Sequence, residues 1–382
     1  MTQVYPTGLS GTTVKTRRTL EYLLERGATI DVCCINPSSM EKNSLEHKNL
    51  RIFTFEREIL SKFSFDYFLK IFHLFFTFLP FRIKKMYDRR LDAIFRKLLK
   101  NKKYDAVLFD GFSTLQYVQQ YDKRFIYIDD EDITDLLWRR LIQAPNIILK
   151  LFFFAEYLRC KWYEKRVLKN VAQIWAISPN TKERLEKLSL AVTTLMPTVL
   201  TEHSTAFSVN STSIVYTALL SWMENVVGLR WFLENCWHRI HKNLPRVKLL
   251  VSGQMADEGL KQYVSSFPNV EFVGFVPDLN TLYKKAAVGI APILINAGIK
   301  VKILTYLSYG IPVVALEQAT WGMISQDGVK AATEETFAQS VIDLLQNRSE
   351  RVRYSKSALR NIRANHSDRA LTRFFTKTAF LR

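Results

Sequence analysis

The sequence predicts an α/β protein with two doubly wound parallel sheets, one in each half of the chain, whose domains face a cleft. In each half, short apolar runs rich in β-branched and aromatic residues alternate with amphipathic stretches, which is typical of parallel strands joined by helices. Between the halves, residues 198–212 lose this periodicity and turn polar, as linkers do. A chain of 382 residues also exceeds what one hydrophobic core usually supports. We therefore expect two domains.

The first domain is expected over residues 1–205. A helix over residues 13–26 follows the GLSGTT turn and ends at Gly27, because glycine tolerates the left-handed conformation at a helix C-terminus. Further predicted helices cover residues 56–101, 113–121, 134–170 and 180–188. The predicted strands are residues 29–35, 51–55, 104–110, 124–129 and 172–178.

The opening strand of this domain is short. A doubly wound domain normally begins with an apolar strand that delivers a glycine-rich turn, but here only TQVYP precedes GLSG. The sequence therefore predicts a truncated first strand. Such a stub would leave unpaired backbone groups on the strands beside it.

The second domain is expected over residues 206–365, with a parallel sheet of its own. Residues 366–382 are expected to form a C-terminal helix, for which a return to the first domain is one option. The predicted strands of the second domain are residues 213–219, 247–253, 270–275, 288–293 and 311–316.

Cysteine and histidine usage predicts a cytoplasmic protein without a metal site. The four cysteines show no metal-ligand spacing, and Cys33 and Cys34 are adjacent within an apolar run, which suits buried thiols in a reducing compartment. The six histidines are scattered and do not pair at ligand spacing. The start MTQVYPTGLSGTTVKTRR lacks the apolar core of a signal peptide.

The formal net charge of +18 predicts an anionic partner. Nucleic acid, anionic lipid and small anionic substrates all fit such a surface. The sequence contains no recognisable recognition helix, finger or RNA module, so nucleic acid is not expected.

A basic segment next to an aromatic one, within residues 63–103, suggests contact with an anionic membrane. A spanning helix is not expected, because the aromatic part contains Asp66, Lys70 and His73 and stops at Pro80. Two interpretations stay open: a peripheral interfacial helix on the inner face of the membrane, or a buried helix with solvated basic neighbours. The apolar stretch that begins at Ile147 is open to the same two interpretations.

The best candidate for an anion site is the loop INAGIKVKIL after the fourth strand of the second domain. Small residues Ala297 and Gly298 at a helix start allow backbone N–H groups to approach an anion, and the helix dipole adds to the attraction. Lys300 and Lys302 bring positive charge to the same turn. The pattern favours a diphosphate whose charge grows as a sugar leaves it. The alternative is an ordinary loop with solvated lysines.

Several motifs in residues 213–345 resemble a known family. Trp222, Asn225 and Gly228 match a W-x-x-N-x-x-G turn, and AGIKVKIL matches an A-G-I-K-x-K-x-L diphosphate loop. In order and spacing, this half is similar to the C-terminal half of the retaining glycosyltransferases of group 1, which are glycosyltransferase family 4-like and have the GT-B fold. The first half resembles the family more loosely, through GLSGTTVKTRRTLEYLLERGATIDV and YEKRVLKNVAQIWAISPNTKERL.

The resemblance implies a retaining transferase of the hexosyl type. A nucleotide-sugar donor would bind the second domain, and the first would hold a surface polysaccharide or lipid-linked saccharide acceptor. No metal or other cofactor is implied, and no catalytic nucleophile is assigned. Candidates in the cleft are Gly11, Lys300 and Lys302. The implied donor-binding residues are Gly253, Gly274, Phe275, Val276, Ala297, Gly298, Ile299, Lys300, Lys302 and Thr305.

The acidic run Asp129 to Asp132 offers acceptor-binding candidates, Asp129 and Asp132, because close carboxylates raise one another's pKa. In retaining members of the family, the leaving phosphate is thought to take the acceptor proton instead. A solvated loop is the alternative interpretation of this run.

Three positions depart from the family pattern. Thr305 stands where the family usually has a glutamate that binds the ribose, and Ala218 and Ala319 stand where glycines are usual. A hydroxyl does not form the charge-assisted bond that a carboxylate forms. These departures support an alternative function, a catalytically degenerate GT-B protein that acts as a binding or scaffold subunit at the membrane.

Overall fold

The computed structural model of the chain describes residues 1–2, 5–6, 11–37, 45–57, 78–129, 133–200, 203, 210–295 and 300–378, with the backbone alone at residues 11–12, 36–37 and 56–57. The chain divides into two compact units, Met1–Met196 and Pro197–Arg382. Among the described residues, no helix combines the length and the apolar character that a bilayer crossing needs.

The first unit contains parallel strands flanked by helices. Its strands pair in the orders β1-β2 and β3-β4-β5-β6. They are β1 (Ile30–Pro37), β2 (Leu50–Arg57), β3 (Val107–Asp110), β4 (Asp122–Asp129), β5 (Val171–Ala176) and β6 (Val192–Leu195). The helices are Gly11–Glu25, Phe81–Met86, Arg89–Asn101, Ile133–Gln143, Ile147–Val167 and Pro179–Leu188, with 3₁₀ turns at Phe112–Tyr117 and Leu168–Asn170.

The start of the chain joins the two sheets of the first unit. The N–H groups of Thr2 and Tyr5 donate to carbonyls of β1 at 3.1 and 3.2 Å. On the other side, the Asp110 N–H of β3 donates to the Met1 carbonyl at 2.9 Å, and Thr2 forms a parallel bridge with Asp110. The stub thus lies in the central position and pairs backbone groups of both neighbours. The expectation that it would leave its neighbours unpaired at these positions is wrong.

The second unit contains one parallel sheet of six strands, in the order β12-β11-β10-β7-β8-β9. The strands are β7 (Ser213–Leu219), β8 (Leu249–Gln254), β9 (Val270–Gly274), β10 (Ala286–Ala291), β11 (Val313–Leu316) and β12 (Val329–Ala332). The helices are Met223–Phe232, His238–Asn243, Glu258–Ser265, Leu279–Tyr283, Val301–Ser308, Glu317–Thr320, Phe337–Gln346, Arg348–Asn365 and Asp368–Lys377, with a π-helical turn at Leu233–Trp237.

This strand order reverses direction beside β7. The first strand of the unit lies in the middle, β8 and β9 follow on one side, and β10 to β12 follow on the other. In doubly wound sheets, ligands bind at the carboxyl ends of the strands, at the point where the order reverses. That point lies between the ends of β7 and β10.

Close packing at β10 depends on a glycine. A Cβ atom added to Gly289 would lie 2.7 Å from the ring of Tyr306, which is fully buried in the helix Val301–Ser308. Any larger residue would push this helix away from the sheet. Gly289 therefore fixes how closely the helix approaches β10.

The predicted helices differ from the observed ones at three places. Residues 134–170 divide into two helices because Pro145 cannot continue the first and the Asn146 side chain caps the second, accepting from the Leu149 N–H at 2.9 Å. The helix expected over residues 113–121 is the 3₁₀ turn Phe112–Tyr117. The expected helix 56–101 begins inside β2, and residues 58–77 of it lie outside the described residues.

Two short strands, β6 and β12, were not predicted. Each has four residues, and β6 reads VTTL with partial exposure throughout, so neither forms a conspicuous apolar run. Both pair with a buried neighbour, β5 or β11. Tertiary pairing rather than local sequence decides their conformation.

His366 anchors the beginning of the second unit to its C-terminal helices. The imidazole is fully buried, and its Nδ1 lies 2.9 Å from the Thr198 carbonyl, while the His366 carbonyl accepts from the Leu200 N–H at 2.9 Å. In the described part of the chain, Nε2 is buried without a hydrogen-bond partner. Burial lowers the pKa of His366 to about 4. The side chain therefore stays neutral at physiological pH.

We expect the second unit to lose stability in mild acid through His366. The unfolded imidazole binds a proton near pH 6.5 and the folded one near pH 4, so the stabilisation is complete above pH 6.5 and is lost as the pH falls towards 4. The loss should approach 3 kcal/mol, about 1.4 kcal/mol for each pKa unit. Urea unfolding between pH 7 and pH 4 would measure it. His366→Asn should flatten this dependence, whereas His238→Asn, at an exposed position, should not; equal slopes in both variants would contradict the assignment.

Candidate functional site

The candidate site lies at the carboxyl edge of the second sheet, beside the ends of β7 and β10. The loop after β7 leads into the helix Met223–Phe232, and the segment after β10 leads into the helix Val301–Ser308. Lys302, in the first turn of the second helix, reaches side chains that belong to the β7 side. The site therefore joins the two elements on either side of the point where the strand order reverses.

The Lys302 ammonium is held by neutral polar groups. Its Nζ donates to the Asn225 Oδ1 at 2.8 Å and to the Tyr216 hydroxyl at 3.3 Å. The same nitrogen lies 4.5 Å from the centroid of the Tyr216 ring, in a cation–π contact. The position of the ammonium is thus fixed by one amide and one phenol.

Both of these partners are themselves held by backbone groups. The Asn225 side-chain amide donates to the Leu219 carbonyl at 2.9 Å, which fixes the orientation of its Oδ1 towards Lys302. The Tyr216 hydroxyl donates to the Asn225 carbonyl at 2.7 Å. The strand β7, the turn that follows it and Lys302 therefore form one hydrogen-bonded unit.

Burial changes the acid–base properties of this cluster. Burial, together with the positive charge of Lys300, lowers the pKa of Lys302 to about 7. Burial also raises the pKa of Tyr216 well above its ordinary value, so the phenol stays protonated. At neutral pH part of this lysine is the neutral amine, which gains a proton when an anion binds, because the anion stabilises the charged form.

Gly228 allows the two loops to meet. A Cβ atom at this position would lie 2.0 Å from the Pro292 carbonyl oxygen, which follows β10. Backbone of the helix Met223–Phe232 therefore touches backbone of the segment after β10, and only glycine permits that contact. The W-x-x-N-x-x-G pattern thus has physical content: Trp222 precedes the helix, Asn225 holds Lys302, and Gly228 permits the approach.

The predicted donor residues that precede the loop lie at the same edge. Gly253 is near the end of β8, where a Cβ would lie 2.2 Å from the Ala218 carbonyl oxygen. Gly274 ends β9 with φ at +76°, and its carbonyl accepts from the Ser252 hydroxyl at 2.7 Å. Phe275 is 48% exposed and Val276 is partly exposed.

Part of the predicted diphosphate loop is not described. Ala297, Gly298 and Ile299 lie outside the described residues. Lys300 precedes the first turn of the helix Val301–Ser308, whose N-terminus has no side-chain cap and no acidic residue in its first turn. The Thr305 hydroxyl donates to the Val301 carbonyl at 2.9 Å, one turn back in the same helix.

In the first unit, two of the three predicted residues lie in the described part. Gly11 begins the helix Gly11–Glu25. Asp129 ends β4 and is 1% exposed; its carboxylate accepts from Arg184 at 3.0 Å and from the Tyr127 hydroxyl at 3.1 Å. Asp132 lies outside the described residues.

A buried ion pair lies beside the start of the same helix. Lys15 and Asp110 are 2.5 Å apart, and the Thr16 hydroxyl donates to the other Asp110 oxygen at 2.5 Å. This pair attaches the helix Gly11–Glu25 to the carboxyl end of β3. No local sequence pattern indicates this pair, because the partners are 95 residues apart.

The described residues hold no group of three or more His, Cys, Asp or Glu side chains that could bind a metal ion. The expectation that the protein works without a metal stays a prediction.

The sequence of the second unit matches a known family. Residues 211–347, which include all six of its strands, match the sequence model of the family described as Glycosyl transferases group 1. The second unit carries a group 1 glycosyltransferase domain. The predicted resemblance is confirmed.

The chain is also similar to other proteins over longer stretches. An uncharacterized 44.6 kDa protein in the cps region of Klebsiella pneumoniae is 23% identical over 307 residues, which are 76% of this chain and 77% of that protein. The structure of sucrose-phosphate synthase from Thermosynechococcus elongatus matches with a TM-score of 0.70 at 14% identity, covering 99% of this chain and 97% of that one. Anabaena Alr3699/HepE, in complex with UDP and glucose, matches at 0.63 and 12% identity, covering 100% and 99%. The predicted fold class, parallel α/β with the GT-B fold, is confirmed.

Asn225 belongs to a predicted motif but had no predicted role, and Tyr216 was not among the predicted site residues. The tyrosine lies inside a buried strand, SIVYTAL, where an aromatic residue ordinarily serves the core. Its only signal was a hydroxyl within an apolar strand, where a buried hydroxyl needs a hydrogen-bond partner.

We expect Lys302 to titrate near neutrality. Lysine side-chain NMR over pH 6 to 10 should resolve one ammonium with a pKa of about 7, and Lys302→Met should remove that signal while Lys330→Met retains it. Asn225→Ala should lower the pKa of Lys302 further, because it removes an acceptor that stabilises the charged form. A protein in which all lysines titrate together above pH 10 would contradict this geometry.

Proposed function

We propose that this protein is a retaining glycosyltransferase that moves a sugar of the hexose type from a nucleoside diphosphate to a saccharide acceptor. The acceptor is a surface polysaccharide or a lipid-linked saccharide, used at the cytoplasmic face of a membrane. The observation that carries the proposal is the Lys302 ammonium, which Tyr216 and Asn225 hold beside the ends of β7 and β10.

Lys302 suits a diphosphate leaving group for two reasons. The ammonium lies in the first turn of a helix whose N-terminus has no side-chain cap, so the partial positive charge of the helix end adds to its own. Because the pKa of Lys302 is lowered, binding of the diphosphate is accompanied by protonation of the amine. The full positive charge then lies beside the leaving group, whose negative charge grows during the transfer.

In the proposed transfer, the bond between the sugar anomeric carbon and the diphosphate oxygen breaks, and a bond from the acceptor hydroxyl oxygen forms on the same face. The acceptor proton passes to the leaving phosphate oxygen. Lys302 and Lys300 stabilise the charge that develops on the diphosphate, and no protein nucleophile takes part. The complex of the structurally similar Anabaena protein with UDP and glucose supports a nucleotide sugar as the donor class.

We propose that Asp129 and Asp132 bind the acceptor. The Asp129 carboxylate already accepts from Arg184 and Tyr127. An acceptor hydroxyl would therefore share this carboxylate with them, and the role of Asp129 is to bind rather than to remove a proton.

Nucleotide binding tests the donor site. Titration calorimetry with UDP, GDP and ADP should detect one nucleoside diphosphate that binds, and Lys302→Ala should weaken it about tenfold to a hundredfold, as expected for a charge-assisted bond. The affinity of the wild type for the nucleotide should fall as the pH rises above 7, by at most about tenfold per pH unit. Above that pH, Lys302 is mostly neutral and must take up a proton when the nucleotide binds. Lys330→Ala is the matched control, because Lys330 lies in β12 of the same unit and its ammonium pairs with Asp343. If Lys302→Ala binds the nucleotide as tightly as the wild type does, the proposed donor site is wrong.

A specific observation also favours a second candidate function, a degenerate binding or scaffold subunit. Thr305 stands where the resemblance implies a ribose-binding glutamate, and its hydroxyl is engaged with the Val301 carbonyl. Sugar transfer or hydrolysis from a panel of nucleotide sugars separates the two functions. Turnover by the wild type supports the enzyme, and nucleotide binding without turnover supports the scaffold.

We expect Thr305→Glu to raise nucleoside diphosphate affinity by about tenfold, the effect of one charge-assisted hydrogen bond. Thr305→Val removes the hydroxyl alone and should leave the affinity within about twofold. Calorimetry on both variants makes the comparison. Equal affinity in the Glu and Val variants would mean that position 305 does not face the ribose.

A further inference from the structure

The helix Ile147–Val167 exposes apolar side chains along its first half. Every side chain from Ile147 to Phe152 is exposed, Ile148 at 75% and Leu151 at 62%. The buried residues of the helix begin only at Glu156. Its first two turns therefore extend from the unit without cover from the described chain.

Further along the helix, carboxylates are buried and apolar side chains are exposed, which is the opposite of the usual distribution. Glu156 and Glu164 are 4% and 1% exposed, whereas Leu158 is 48% exposed. Glu156 accepts from the Phe81 N–H at 2.7 Å, and Glu164 pairs with Arg184 at 2.6 Å. The carboxylates are thus satisfied inside the unit while the apolar residues point out. Exposed apolar surfaces of this extent mark binding faces.

The preceding helix, Ile133–Gln143, contributes to the same surface. The Trp138 and Tyr157 rings pack at 5.3 Å between centroids, and Trp138 remains 44% exposed. Ile142, close to the turn between the helices, is 64% exposed. We call residues 133–167 the apolar hairpin.

The charges of the apolar hairpin are almost all positive on its outer side. It contains seven lysine and arginine residues and three carboxylates. Two of the carboxylates are buried, and the third, Asp135, pairs with Arg139 at 2.7 Å. A partner of this surface must therefore accept cations.

Two of these cations lie against aromatic rings of the apolar hairpin. Lys161 is 5.6 Å from the centroid of Tyr157, and Arg166 is 5.2 Å from that of Trp162, which is 47% exposed. Aromatic rings beside cations suit the boundary between lipid head groups and acyl chains, where one end of the side chain is apolar and the other is hydrated.

We propose that the apolar hairpin docks on the surface of an anionic lipid bilayer. The side chains of residues 147–154 enter the boundary of the acyl chains, and the lysines and arginines lie among the phosphates. The hairpin lies on the membrane and does not cross it. This inference stands on the hairpin alone and holds whether or not the proposed transfer occurs, although it would bring the protein to a lipid-linked acceptor.

A second copy of the chain is a poorer occupant than a membrane. Two such surfaces would bring together the exposed cations of each copy, which are Lys150, Lys161, Lys165 and Arg166. Like charges repel most strongly where water is excluded. An anionic bilayer instead offers both an apolar layer and a negative surface.

Vesicle flotation of the full chain tests the proposal. The wild type should float with phosphatidylcholine vesicles that contain phosphatidylglycerol. With vesicles of pure phosphatidylcholine it should remain at the bottom of the gradient. Added salt should weaken the binding to anionic vesicles. The double variant Ile148→Gln and Leu151→Gln should partition about tenfold less, because it loses two exposed apolar groups. Leu190→Gln and Val192→Gln, in the same unit and 106% and 67% exposed, form the matched control.

A fluorescent label locates the contact. Because Cys33, Cys34, Cys160 and Cys236 are buried, a cysteine introduced as Ile148→Cys can be labelled selectively with an environment-sensitive dye. Its emission should shift to shorter wavelength on anionic vesicles, and that of Leu190→Cys should not.

Three results would overturn the proposal: no flotation of the wild type, equal flotation of the hairpin and control variants, or a dimer in analytical ultracentrifugation that the hairpin variant abolishes. The last would identify a second copy as the occupant. None of these readouts involves a nucleotide or a sugar, so a failed membrane contact and a failed transferase are distinguishable.

Discussion

A cation held among neutral groups is the interaction on which the candidate site depends. Within the described chain, the Lys302 ammonium has an amide oxygen, a phenol oxygen and an aromatic face as its partners. These groups replace part of the water that burial removes, but they do not neutralise the charge, and the pKa of Lys302 therefore falls to about 7. A carboxylate partner would have stabilised the ammonium and also cancelled its attraction for an anion. Neutral partners keep the charge available to a ligand.

This arrangement requires two close contacts with the backbone that glycine residues permit. Gly228 permits the helix after β7 to touch the Pro292 carbonyl, and Gly289 permits the Tyr306 ring to lie against β10. The Tyr306 hydroxyl in turn accepts from the Thr217 N–H of β7 at 2.7 Å. The helix that carries Lys302 is therefore positioned against two neighbouring strands at once, which is why a lysine on one element can meet an asparagine on another.

Much of the fold could be predicted because its signals are local. Apolar runs identified ten of the twelve strands that the described residues form. Pro145, Gly27 and the family motifs lie at turns where the residue type itself decides the backbone. Residues of the candidate site could be predicted only where they belong to a motif, as Lys302 does. Tyr216 and the pairing of Asp129 with Arg184, 55 residues apart, depend on contacts between distant elements. Short strands such as β6 escaped for the same reason, since a neighbour supplies their pairing.

The ion pairs inside the first unit also decide which way the apolar hairpin faces. Arg184 donates both to Asp129 at the end of β4 and to Glu164 of the helix Ile147–Val167. Rotating that helix to bury its apolar face would expose Glu164, leave Arg184 with one carboxylate fewer and break the bond from the Phe81 N–H to Glu156. The outward direction of the apolar residues is thus fixed by charges on the opposite face of the same helix, and the arginine that fixes it also holds the carboxylate predicted to meet the acceptor.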